Sequence, residues 1–377
     1  MVSKRILHIH QDYPDGRVYP CTRAVANLID AVENETRSIE HFVLSINRTS
    51  NPLNISIKKF DQGLSVVYWA IPLPYIYLPV MWLWSLIFLR LLKSSNFDLV
   101  HAHKLTTEGL VGEYIARKRG IPYVISVRGG SDSHNINRLP CCRKVFKRIA
   151  ENAFHIFFVS PWMKNRYPDY FLNESNTKLP NICEYSKSVS NIDNRNNKYI
   201  SVLSFHQYKR KGILPLIKSI SLLRDEGFYV CLDVYGTGNA AYRKVISDYI
   251  EELGCQDQID LKGEVPRDDL VSALKKSKGL LLPAANETFG MVYIEALMAG
   301  VPILYHQNTG VDGYFDDNDI GTKVASQDVF EIKDRVKELV LSNEFFSNQV
   351  NLLISSNDFD LFYTNNIVKE YLSVVGA

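Results

Sequence analysis

Apolar positions along this chain change period repeatedly, from short unbroken runs to spacings of three and four. Ile6-Leu7-His8-Ile9 reads as a strand and Tyr19-Pro20 as part of the loop behind it. A helix starts near Thr22, because Val25, Leu28, Ile29 and Val32 stand at i, i+3, i+4 and i+7 and form one apolar stripe. Strands are predicted at Leu99-Val100-His101, Tyr123 to Val127 and Ile156 to Val159. From Glu184 to Lys198 large apolar residues all but vanish, which marks a linker over 185–198. The alternation then restarts with strand Tyr199 to Phe205, helix Ile213 to Leu223, strand Tyr229 to Tyr235 and a helix ending at Leu253. Strand Ile259 to Leu261, helix Asp268 to Lys276, strand Leu280 to Leu282, helix Met291 to Ala299 and strand Val301 to Tyr305 follow.

Strands alternating with helices predict parallel sheets covered on both faces. The linker separates two such units, 1–184 and 199–357, each doubly wound and Rossmann-like. Ligands of doubly wound sheets bind at the carboxyl ends of the strands, so a crevice between the two sheets is the expected site. A length of 377 residues agrees, being too long for one ordinary core.

Composition changes this picture little. Apolar residues make up 46% and charged residues 22%, with a net charge of +2, which is ordinary for a globular protein. Nucleic acid as a partner would call for a more basic chain or face. The clusters Arg117-Lys118-Arg119 and Arg143-Lys144 with Lys147-Arg148 read as solvated helix faces. The six cysteines form no CxxC pair, so neither a metal site nor a disulfide framework is expected, and Cys231 reads as a core residue. The N-terminus carries only a short, histidine-interrupted apolar run, unlike a signal peptide.

The stretch Leu64 to Leu92 is the most apolar, but Pro72, Pro74 and Pro79 interrupt it. A spanning helix needs about 20 uninterrupted apolar residues. Two readings stay open. One is a core-facing helix with a Pro-rich lead-in; the other is a peripheral membrane contact with Trp69, Tyr75, Tyr77, Trp82 and Trp84 at headgroup level.

The chemistry concentrates between Pro283 and Gly300. A buried strand ends at Pro283, a loop follows, and a helix begins near Gly290. The free amides of Phe289, Gly290 and Met291 at that start suit a diphosphate, and Gly290 lets the backbone approach it. Glu295 lies five residues on, about 7.5 Å along the axis, which is roughly the reach from a phosphate to a ribose. Glu287 precedes the helix, on the side where a sugar would project. Glutamates spaced in this way also occur as plain surface residues beside a helix start.

Context removes that ambiguity. Pro283, Glu287, Phe289, Gly290, Glu295, Ala296, Gly300 and Pro302 stand where the retaining glycosyltransferases of family 4 carry their Glu-x7-Glu motif, and the chain resembles that family. The resemblance is to members that build bacterial cell-surface polysaccharide, and it implies the GT-B architecture: two Rossmann-like domains facing a cleft. It implies that Glu287 contacts the donor sugar and Glu295 the ribose, with Thr288 of the same loop also binding the donor. Lys211-Gly212 matches the family's Lys-Gly, whose lysine binds the diphosphate; a cation is needed against the leaving charge. The family's arginine five or six residues earlier is absent; Phe205 and His206 stand there, leaving Arg210 or His206 as substitutes. Gly236-Thr237-Gly238 reads as a tight turn, and Leu261-Lys262-Gly263 with Val265 matches the segment near the donor base.

On the other half, Asp98-Leu-Val-His101-Ala-His103 resembles the family's Asp-Val-Val-His-x-His, which assigns His101 and His103 to the acceptor or sugar side. Gly16 alone remains of the family's glycine loop. Arg128, in Arg128-Gly129-Gly130-Ser131-Asp132, replaces the histidine of the family's His-Gly-x-Asp, and Asp132 is assigned with His101 and His103 to the acceptor or sugar side. Arginine holds hydroxyls or phosphate as a permanent cation, or closes a loop by a salt bridge. Asp358-Phe359-Asp360 has the spacing of metal-dependent glycosyltransferases but lies far from any nucleotide loop, so it reads as a structural turn.

The resemblance further implies no cofactor, metal independence, and a last helix, within 358–377, crossing back onto the first domain. A glycan on the sequon Asn286-Glu287-Thr288 would block the donor site, which favours a cytoplasmic location, at the inner membrane face if 64–92 touches lipid. The resulting expectation is sugar transfer from a UDP- or GDP-sugar to a lipid-linked saccharide. The alternatives are a nucleotide-sugar epimerase of the same architecture and an inactive donor-binding protein.

Overall fold

A computed structural model describes residues 4–17, 22–71, 73–183, 195–316 and 318–376. Tyr19-Pro20, Cys21, Pro72 and most of the linker, 185–194, lie outside these. The chain divides into two compact units, Met1–Ile182 with Phe362–Ala377, and Cys183–Leu361.

The first unit holds strands β1 (Lys4–His10), β2 (Ile39–Thr49), β3 (Ser56–Phe60), β4 (Gly63–Trp69), β5 (Leu99–Ala102), β6 (Tyr123–Val127), β7 (His155–Phe158) and β8 (Asn176–Lys178). They form one sheet in the order β3-β4-β2-β1-β5-β6-β7-β8. Among the described residues only the β3–β4 pair is antiparallel. Strand order reverses between β1 and β5, so the loops after these two diverge at the carboxyl edge. One face carries the helices Tyr77–Leu91, Thr107–Arg119 and Arg143–Glu151, with Met81, Phe88, Leu110, Ile115, Phe146 and Ile149 in its core. The other carries the helices Ala24–Glu35 and Thr364–Val375, where Leu28, Val32, Ile367, Val368 and Tyr371 pack against Ile6, Leu99 and Phe157. The C-terminal helix therefore belongs to the first unit.

The run from Leu64 departs from expectation. Its first part, Gly63–Trp69, is strand β4 rather than a lead-in. The helix begins only at Tyr77, with Pro79 in the first turn, where a missing amide costs no intrahelical bond. Of the five aromatic residues placed at headgroup level, Tyr77 and Trp84 are in the core, and Trp69 is half-buried with its indole donating to the Ser50 carbonyl. Tyr75 and Trp82 do face outward. Cys231 is half-buried rather than a core residue.

The second unit holds β9 (Lys198–Val202), β10 (Cys231–Tyr235), β11 (Ile259–Gly263), β12 (Leu280–Leu281), β13 (Ile303–His306) and β14 (Gly321–Val324), all parallel, in the order β11-β10-β9-β12-β13-β14. Its order reverses between β9 and β12. The predicted strand to Phe205 stops at Val202, and Phe205–Gln207 is a 3-10 turn with Phe205 in the core. Asn357–Phe362, containing the Asp-x-Asp pair, is also a 3-10 turn.

Candidate active site

Lys211 lies after the carboxyl end of β9 and Glu287 after that of β12, the two strands between which the order reverses. Parallel neighbours deliver both loops to one edge, and there Lys211 Nζ donates to Glu287 Oε2. Arg210 Nη1 is 3.7 Å from the same oxygen and donates to the Asn286 carbonyl at 3.0 Å. Both partners of the Lys211–Glu287 pair are about nine-tenths buried, their side chains 12% exposed.

The two loops are tied together through the backbone. The Arg210 carbonyl accepts from the Ala285 amide at 2.9 Å, and Gln327 Nε2 donates to the carbonyls of Arg210 and Pro283 at 3.0 and 2.8 Å. Gly212 sits at φ 69° where a Cβ would lie 2.6 Å from the Pro283 carbonyl oxygen, so only glycine lets the loops approach so closely. The Glu287 carbonyl accepts from the Gly310 amide at 2.9 Å and the Thr309 hydroxyl at 2.8 Å.

Gly290, at φ 73°, caps the helix Met291–Met298. A Cβ there would meet the Tyr293 ring at 2.4 Å, while the Tyr293 hydroxyl donates to the Leu282 carbonyl at 2.6 Å and pins the helix to β12. Phe289 is fully buried, so its backbone alone can face a ligand. Thr288 and Met291 are half-buried beside it. Glu295 accepts from Arg267 Nη2 at 3.0 Å, from the start of the helix Arg267–Lys276. His206 is exposed, its Nδ1 2.6 Å from Ser204 Oγ.

In the first unit, Arg128 Nη1 donates to Asn181 Oδ1 at 2.7 Å, an amide rather than the carboxylate a loop-closing salt bridge would use. Burial brings the guanidinium down to about 10, opposed by Glu108 and Asp132. Asp132 Oδ1 accepts from the amide and hydroxyl of Thr106, both at 3.0 Å. Gly16 is an exposed turn residue at φ 90° with open space around it.

His101 and His103 are fully buried. His101 uses both ring nitrogens, Nδ1 with the Tyr371 hydroxyl at 3.0 Å and Nε2 with Ser126 Oγ at 2.8 Å. Its ring is thus held on both sides by protein groups. His103 Nε2 is 2.9 Å from Nδ1 of His8, whose Nε2 is 2.8 Å from Nδ1 of His41. Burial holds His8, His10, His101 and His103 well below the usual histidine range, and brings His41 to about 4.

Arg267, Gln327, His8, His10 and His41 carry no site assignment from the sequence. Nothing local distinguishes Arg267 or Gln327. His8-x-His10 repeats the alternation of His101-x-His103, and that signal was legible.

Burial raises Asp132 to about 6, with Glu108 adding and the Thr106 bonds opposing. A carboxyl raised on folding contributes stability below its ordinary value near 4 and loses it as pH climbs through about 6. Asp132→Asn retains the Thr106 acceptor without the buried charge. Urea melts should find the variant more stable than the parent by about 1–3 kcal/mol at pH 8, with the gain shrinking as pH falls through about 6 and gone by about pH 3. A gain that does not depend on pH would contradict this account.

The family model for glycosyltransferase family 4 matches residues 22–179, and that for glycosyl transferases group 1 matches residues 185–351. This chain belongs to the family 4 glycosyltransferases. Among its relatives, the Staphylococcus aureus capsular polysaccharide biosynthesis glycosyltransferase CapH is 26% identical over 298 residues, 76% of this chain and 80% of CapH. A GDP-mannose-dependent alpha-(1-6)-phosphatidylinositol monomannoside mannosyltransferase of Mycolicibacterium smegmatis is 23% identical over 67% of this chain and 69% of its own. The Anabaena HepE structure with UDP and glucose superposes with a TM-score of 0.63 at 14% identity, covering 99% of both chains, and it shares the GT-B fold.

Proposed function

We propose that this glycosyltransferase moves a sugar, with retention and without a metal ion, from a UDP- or GDP-sugar to a lipid-linked saccharide during polysaccharide assembly. The observation that carries this is the meeting of Lys211, Arg210 and Glu287 beside the helix start at Gly290, with Glu295 farther along the same helix. Lys211 and Arg210 would offset the leaving diphosphate's charge, the role a metal fills elsewhere. Glu287 would accept hydrogen bonds from the donor sugar, and Glu295 from the ribose. The leaving phosphate would take the acceptor's proton on the face it vacates, so no separate base is required. CapH and the mannosyltransferase, by their names, make capsule and glycosylated phosphatidylinositol, which motivates the acceptor class.

The decisive experiment screens UDP-, GDP- and ADP-sugars for thermal stabilisation of the protein. It then follows release of the nucleoside diphosphate with saccharide-lipid acceptors and no added divalent cation. Stabilisation by one donor, and a product whose anomeric configuration matches the donor's, is the expected result. Free nucleotide with no glycosylated product would instead point to an epimerase, and no stabilisation by any donor would sink the reading.

Membrane contact is part of the same proposal. Among the described residues no helix is long and apolar enough to cross a bilayer. On the helix Tyr77–Leu91, however, Trp82, Leu83 and Leu86 are 50%, 59% and 44% exposed, and the stripe ends at Arg90. Tyr75, 82% exposed at φ 69°, adjoins them, and its amide donates to Cys141 Sγ just before the basic residues Arg143 and Lys144. No acidic residue stands between Asp61 and Asp98. This face suits an anionic bilayer at the cytoplasmic surface. The full chain should sediment with phosphatidylglycerol-containing vesicles and less with pure phosphatidylcholine. Joint replacement of Tyr75 and Trp82 by serine should reduce binding about tenfold or more. Binding equal to the parent's would refute the contact.

A further inference from the structure

His101 and His103 stand two apart at the end of β5, so their side chains share one face of the sheet. The parallel register sets His8 of β1 opposite His101. One ring nitrogen from each of His8, His101 and His103 lies within 4.8 Å of the other two, and all three rings are fully buried. His8 Nδ1 and His103 Nε2 face one another at 2.9 Å.

Further polar groups surround them. His8 places its other nitrogen 2.8 Å from His41 Nδ1, and His101 has the hydroxyls of Tyr371 and Ser126 at 3.0 and 2.8 Å. Such partners normally fix the ring orientation of a metal-bound imidazole. His103 Nδ1 has no hydrogen-bond partner among the described residues. Neither has either ring nitrogen of His10, which is 1% exposed and whose ring centre is 5.6 Å from that of His103. Buried nitrogens are seldom left unpaired. The site therefore holds more polar atoms than the described residues satisfy.

We propose that His8, His101 and His103 bind one divalent transition-metal ion, zinc foremost, which braces the first unit. The donor set is three imidazoles at one end of a rigid sheet: His8 on β1, His101 on β5 and His103 one residue beyond its end. Nitrogen-only ligation favours zinc, cobalt, nickel or copper over magnesium and calcium, which take oxygen. On binding, the facing nitrogens of His8 and His103 would open to about 3.3 Å, the spacing of two ligands about 2.0–2.1 Å from a tetrahedral zinc. His101 would release one hydroxyl and keep the other as its outer partner. Arg128 and Lys104 nearby oppose a dication, and Glu108, 3.2 Å from Lys104 Nζ, offsets them. The ion would join β1 to β5 and, through Tyr371, to the C-terminal helix. It takes no part in the transfer chemistry assigned to the second unit.

The test uses the full chain without a polyhistidine tag, loaded with zinc or cobalt(II), passed through gel filtration and analysed for metal. About one equivalent per chain should remain, and cobalt(II) should give the visible absorption of a tetrahedral nitrogen-ligated ion. Zinc should raise the melting temperature by about 5 °C or more. His8→Gln and His103→Gln should each abolish retention, His41→Gln should weaken affinity about 10–100-fold, and His155→Gln should have no effect. Loss of retention counts only in variants still stabilised by nucleotide at the second unit or matching the apo parent's melting temperature. Parent protein that retains neither metal overturns the proposal, independently of any variant's folding. So does retention undiminished in both ligand variants, which would put the ion elsewhere. Neither outcome bears on donor binding, which the nucleotide screen decides separately.

Discussion

Glu287→Ala is expected to lower kcat at saturating donor about 10²–10³-fold while leaving the affinity for the free nucleoside diphosphate unchanged or tighter. The first half follows if Glu287 meets the sugar mainly as charge develops at the reacting carbon, the kind of contact whose removal costs about 3–4 kcal/mol. The second half follows from the ion pair with Lys211. Without the carboxylate, Lys211 no longer has to leave a buried partner before it meets a phosphate. Lys211→Met should differ in kind, weakening diphosphate binding and turnover together, because the cation serves both ground state and transition state. Calorimetry on the free diphosphate and steady-state rates with the donor separate the cases. An alanine variant that loses diphosphate affinity as steeply as turnover would assign Glu287 to the phosphates instead.

Glu295→Ala should weaken nucleotide binding about 10–100-fold, the range for losing hydrogen bonds to a buried charged group. A sharper readout compares ribo- with 2′-deoxyribonucleotides. The parent should prefer the ribose, and the variant should show little preference, because the carboxylate that would accept from the 2′-hydroxyl is gone. Arg267 aims this carboxylate from the neighbouring helix at 3.0 Å. Its side chain is 43% exposed, so Arg267→Ala should cost far less than loss of Glu295. A full ribose preference in the Glu295 variant would show that another group reads the sugar.

These predictions divide between local and global information. The Glu287-to-Glu295 stretch was legible in the linear chain because one loop and one helix contain it, and helix geometry alone sets the positions of its parts. The parallel strands were legible for a related reason: strands buried on both faces leave short, nearly continuous apolar runs. β4 was not, since its apolar run flows into the proline-rich stretch after it, and β2 gave no run distinct enough to register. Within Tyr77–Leu91 the apolar positions surround the helix, so composition could not tell inward Trp84 from outward Trp82.

By itself the sequence determined the α/β alternation, the family and the Glu-x7-Glu loop with its capping glycine, and it singled out Lys211 as a candidate partner of that loop. Only the tertiary structure decided that Lys211 and Glu287, 76 residues apart, meet as an ion pair. The same holds for Arg267 on Glu295 and for His8 entering a buried triad with His101 and His103. The reason is physical. Periodicity and caps act over a few residues, whereas these contacts depend on which strands become neighbours and in what register, and that is settled only when the sheets assemble.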